Sequence, residues 1–151
     1  MPVRLHTVAL AFLCMGGGCE CAGSPTAAEL AGVWDFTWVV LEADGLCASE
    51  VGQESTGEIE IRAGDTPEDF TLIGFGEEDA GEQSGSWENG TLRFSGSYAD
   101  DSGTTTASTE LDLSSNFRSA DGTEEWSWES EVNPNACPSA RSSVHAEKQD
   151  G

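Results

Sequence analysis

Positive charge is nearly missing from this chain. Lys plus Arg total 6 against 28 Asp plus Glu, with 2 His, for a formal net charge of −22 at pH 7. A surface of that sign repels nucleic-acid phosphates and an anionic lipid face, which leaves cationic protein surfaces, divalent ions or plain solubility as its use and no nucleic acid. Long apolar runs are missing too. The run from Val8 to Met15 is too short to cross a bilayer as a helix. No internal repeat is evident beyond a hairpin rhythm, and 151 residues suit one domain with one core.

Catalytic signals are equally scarce. No Gly-x-Ser-x-Gly elbow occurs, and His145 is the sole imidazole beyond the N-terminal segment. It sits on the face opposite Val144 and Ala146, so it reads as a surface residue. Asp35, Glu58, Glu60, Glu125 and Glu129 alternate outward from apolar neighbours, as on a solvated face. Acidic clusters at Glu77-Glu78-Asp79, Asp100-Asp101 and Asp121-Gly122-Thr123-Glu124-Glu125 fall in predicted loops, and none has the spacing of an EF-hand. The expectation is a protein that is not an enzyme, with no metal and no cofactor.

What the chain does have is aromatic residues, five Trp and six Phe, set in regular alternation that a disordered acidic tail would lack. Val33 to Leu41 places Trp34, Phe36, Trp38 and Val40 on one face. Gly57 to Arg62 places Ile59 and Ile61 inward. Asp69 to Phe75 is apolar on both faces, so pattern alone leaves its register open. Asn89-Gly90 is the dipeptide of a type I′ hairpin, which pairs Glu88 with Thr91 and Trp87 with Leu92. Phe94, Gly96 and Tyr98 continue that inward face. Thr104 to Leu113 forms the next strand, Asn116 turns into a strand beginning near Phe117, and Asp121-Gly122 is a bulge or a further turn. Glu124 to Ser130 points Trp126 and Trp128 inward, and Ser142 to Lys148 is the last strand. About eight short antiparallel strands predict an all-β, up-and-down barrel over residues 31–151.

The N-terminus reads as an export signal, disordered or helical, over residues 1–18: Arg4 and His6, the Val8–Met15 run, then Gly16, Gly17 and Gly18. Cys19 after that stretch resembles the lipidation site of bacterial lipoproteins. The resemblance implies a lipid anchor on Cys19, a short tether over 19–30, and a place at the bacterial cell envelope. Cleavage near Gly23 or Ala28, giving a secreted protein, is the alternative. Cys14, Cys19 and Cys21 lie in or beside this segment, leaving Cys47 and Cys137 as the pair inside the domain. In an oxidising compartment they bond; in a reducing one they would be two free buried thiols. The bond would close a loop of about 90 residues, for an upper estimate of about 4–5 kcal/mol. It would also pin the seam of an even-stranded barrel, where the last strand starts at the rim at which the first one ends.

Gly32-Val33-Trp34 at the start of the first strand resembles the Gly-x-Trp signature of the lipocalins, and the meander resembles their barrel, over roughly Ala31 to Lys148. The resemblance implies Lys148 over Trp34, where the family carries Arg, with Arg141 toward the opposite rim. Asn116-Phe117-Arg118 followed by Trp126-Ser127 is similar to avidin-like barrels. A small barrel either fills its interior or keeps room for one small ligand. Two functions follow. One is binding of a small apolar ligand at the open end, with Trp38, Tyr98 and Trp126 as its wall. The other is a filled-core structural or protein-interaction module of the cell envelope, meeting a cationic partner through its acidic surface.

Overall fold

The computed structural model describes residues 26–74 and 83–151, so the expected export signal, Cys19 and the Glu77-Glu78-Asp79 cluster lie outside the described residues. A short helix, α1 (Ala27–Leu30), precedes eight strands: β1 (Gly32–Ala43), β2 (Glu54–Ala63), β3 (Asp69–Ile73), β4 (Gln83–Glu88), β5 (Thr91–Asp100), β6 (Gly103–Leu113), β7 (Ser119–Ser130) and β8 (Asn133–Lys148). They close into an antiparallel barrel in sequence order, β8 pairing with β1. Closure leaves no free edge, which matters for a sheet of this many exposed polar strands.

The alternation anticipated on β1, β2 and β5 is present, and Asn89 (φ 52°) with Gly90 (φ 90°) makes the two-residue turn that pairs Trp87 with Leu92. On β3 the inward residues are Phe70 and Leu72. Phe70 lies across Gly85 of the neighbouring β4, where any Cβ would strike its ring.

One end of the barrel is filled. Trp34, Phe36, Ile61, Phe70, Trp87 and Leu111 are among the side chains buried there. α1 plugs that end. Ala27 and Leu30 belong to the core, and the Leu30 carbonyl accepts the buried Trp34 indole N–H at 2.9 Å. The packed unit therefore starts before Ala31, inside the segment expected to be a tether, because two apolar residues one helical turn apart reach the closed end. Lys148 pairs in register with Trp34 and donates from Nζ to the Glu29 carbonyl at 2.8 Å.

Three local expectations are corrected. β7 begins at Ser119, not near Phe117. Asn116 Oδ1 accepts from the Ser114 hydroxyl (2.7 Å) and the Arg118 amide (3.1 Å), and this turn holds Phe117 at φ 56° with its ring against the core. Asp121-Gly122 is no turn. Gly122 lies within β7 between Leu111 and Val144, where only a residue without Cβ clears the Glu110 carbonyl. β8 starts at Asn133, earlier than Ser142, since register shifts beside Trp128 admit Pro134 and Pro138 into the strand.

Cys47, on a 3₁₀ segment (Gly45–Glu50) after β1, is bonded to Cys137 on β8, with 5.5 Å between their Cα atoms. Ala43, Ala140, Trp126 and Trp128 pack around the bridge. The seam between the first and last strands is thus pinned at the rim opposite α1.

Candidate ligand-binding cavity

The other end is not filled. Strands β2, β6 and β8 present Gly57, Ala107 and Ser142 inward there, and small residues across from large ones leave space. The result is a cavity of about 660 Å³ opening at the rim opposite α1. A volume of that order holds one small organic molecule. Trp38, Tyr98 and Trp126, the expected wall, all line it, together with Trp128. Trp38 stacks on Phe36 at 5.4 Å between ring centroids, so the cavity floor continues into the packed core. Gln83 lies over Gly96 and forms part of the wall.

Polar groups converge on the same space. Glu124 points inward from β7, in register between Thr109 on β6 and Ser142 on β8. The buried Thr109 hydroxyl donates to its Oε2 at 2.8 Å, and the Trp38 indole N–H donates to the same carboxylate. Beside it the Trp126 indole donates to Ser142 Oγ at 3.1 Å. Desolvation pushes the Glu124 pKa above the ordinary carboxylate value, and the two hydrogen bonds oppose that push without cancelling it.

Glu124 was not anticipated as an interior residue. Its neighbours Asp121 to Glu125 look like an acidic loop, yet Trp126 and Trp128 inward require the residue two before them to face inward as well. That alternation was the available signal. Asp121, by contrast, points outward, where it hydrogen-bonds His145 Nδ1 at 2.6 Å. His145 is exposed, with Glu147 on its other nitrogen at 3.4 Å, and its pKa is raised chiefly by the bond to Asp121. It is not among the residues that line the cavity. At the Asp100-Asp101 turn, Asp100 Oδ1 accepts from the Ser102 amide and hydroxyl and from the Gly103 amide, which lowers its pKa.

The mouth differs from the rest of the surface. Val132 is 93 % exposed and Leu46 67 %, and both lie in connections at the open rim. Glu50 stands at the cavity margin. A second concavity, about 700 Å³, lies on the outside of β5 to β8 among Ser97, Thr106, Ser127 and Arg141, but it is a more open trough in which Trp126 is the one aromatic among the described lining residues.

In comparison with known proteins, no family model matches this chain, and neither a curated protein nor a solved structure does.

Proposed function

We propose that this protein is an exported, lipid-anchored, non-catalytic β-barrel that binds a small apolar ligand in the cavity at its open end. The observation that carries the reading is the cavity itself: about 660 Å³ with an aromatic wall of Trp38, Tyr98, Trp126 and Trp128, in a barrel whose opposite half is solidly packed. A core built only to hold the fold together would close that space, because unfilled volume forfeits dispersion contacts. The exposed Leu46 and Val132 at the rim give an apolar ligand a surface to meet on entry. Export and anchoring rest on the sequence of the first nineteen or so residues, in which Cys19 is the acceptor.

The test is tryptophan fluorescence of the full chain titrated with N-phenyl-1-naphthylamine, an uncharged apolar probe. Saturable quenching is expected, weakened about tenfold or more in Trp38→Ala or Trp126→Ala variants that remain folded. A flat response to this and to other uncharged hydrophobes would move the weight to a barrel that works through its surface. Incorporation of labelled fatty acid in cells, lost in Cys19→Ala, checks the anchor separately.

A further inference from the structure

The cavity is not uniformly apolar: two half-buried carboxylates, Glu124 among the aromatic rings and Glu50 at the margin, belong to its lining. Glu124 sits within the aromatic wall, and its hydrogen-bond donors, Thr109 and Trp38, are both uncharged. A carboxylate has about four acceptor positions, so two donors leave capacity directed at the cavity. Among the described residues that line the cavity, none is Lys, Arg or His.

The placement of charge over the barrel points the same way. Because β1 ends at the open rim, the β1–β2, β5–β6 and β7–β8 connections all lie there. They bring Asp44, Glu50, Asp101 and Glu131 and no basic residue. Arg62, Arg93, Arg118 and Lys148 lie toward the other end, where they meet Glu60, Glu110, Asp150 and the Glu29 carbonyl, while Arg141 stands in the open half on the outer face of β8, in register with Glu42 and Glu125 and outside the cavity. An acidic mouth leading into a low-dielectric pocket focuses the field on entering cations.

We propose that the ligand is a compact organic ammonium ion carried on an apolar body, its cationic head paired with Glu124 and its body held among Trp38, Tyr98 and Trp126. The inference rests on the reading that the cavity binds a ligand, and it narrows the class. Aromatic faces attract an ammonium group as well as an apolar one, so head and body are both accommodated. A neutral ligand would bury the carboxylate further with no charge to compensate it. An anion would meet Glu124 and Glu50 directly. Burial already disfavours the ionised form of Glu124, and a bound cation supplies the compensation that the protein's own groups do not.

The experiment is isothermal titration calorimetry of the full chain with three probes that share a phenylethyl body and differ in the head group: 2-phenylethylammonium, 2-phenylethanol and 3-phenylpropionate. The ammonium is expected to bind about tenfold or more tightly than the alcohol, with the carboxylate weakest. Glu124→Gln, which preserves shape and an acceptor for Thr109, is expected to bring the ammonium to within about threefold of the alcohol while leaving the alcohol unchanged. Equal affinities for ammonium and alcohol in the unaltered protein overturn the inference and leave the apolar-ligand reading standing. That comparison needs no variant, so it decides the matter even if Glu124→Gln fails to fold. An ammonium preference that survives in a folded Glu124→Gln protein also overturns it, since the selectivity would then come from surface charge. If none of the three binds and the uncharged probes fail as well, both readings fall.

Discussion

The two halves of this barrel share strands and alternation yet differ in what they enclose. Near α1, almost every strand contributes a large inward side chain: Trp34 and Phe36 from β1, Ile61 from β2, Phe70 from β3, Trp87 from β4, Leu111 from β6. Toward the disulfide, the large rings of β1, β5 and β7 face Gly57, Ala107 and Ser142 instead. The lesson is that a cavity needs no special backbone. It arises where small residues oppose large ones at the same height, and it persists because the packed half and the covalent seam supply the stability that the hollow half lacks.

Truncating the packed half should give the largest effect. Phe70→Ala removes a ring that is 2 % exposed and leaves a void against Gly85, for an expected loss of about 3–5 kcal/mol in urea denaturation. Trp126→Ala, whose side chain borders space already open, should cost less than about half of that. Equal losses would mean that the open half is packed in solution and would break the comparison.

The seam comes next. Cys47→Ala with Cys137→Ala opens a closed loop with a sequence separation of 90, and the expected loss is about 2–5 kcal/mol. The more telling readout is local. Hydrogen exchange should accelerate around Ala140 and Trp126, which pack on the bridge, and much less around Trp34 and Leu111. Uniform acceleration would show that the two halves unfold as one unit.

The smallest effect sharpens the chemistry of the hollow half. The Glu124 pKa is raised in the folded protein, so the native state holds its proton more firmly than the unfolded chain does. Its contribution to stability is therefore fully present below the ordinary carboxylate pKa and is lost as pH rises through the folded value. Glu124→Gln should gain on the unaltered protein as pH increases from about 4 toward 7, measured by denaturation at each pH. A difference independent of pH would place Glu124 in ordinary solvent. At the outer surface the opposite group, His145, should matter little, since it is exposed and exposed ion pairs contribute about 1 kcal/mol or less.

The sequence by itself determined the class of this fold. Period-two alternation on β1, β2 and β5 marks half-buried strands, Asn89-Gly90 sets a hairpin register to the residue, and two cysteines flanking the first and last strands anticipate the seam. Those signals are local, or depend only on which face a residue takes, and so they survive without a structure. That Trp38, Tyr98 and Trp126 face inward was legible for the same reason. Tertiary structure alone decided the rest. Whether inward rings meet Gly57 or another ring depends on register across strands far apart in sequence, so the cavity was not readable. Glu124 was hidden because a run of acidic residues looks like a loop until its neighbours on β6 and β8 fix which side is in. Ala27 and Leu30 resembled a tether until the closed end gave them somewhere to pack. Facing is a property of one strand, whereas volume and charge environment belong to the whole barrel.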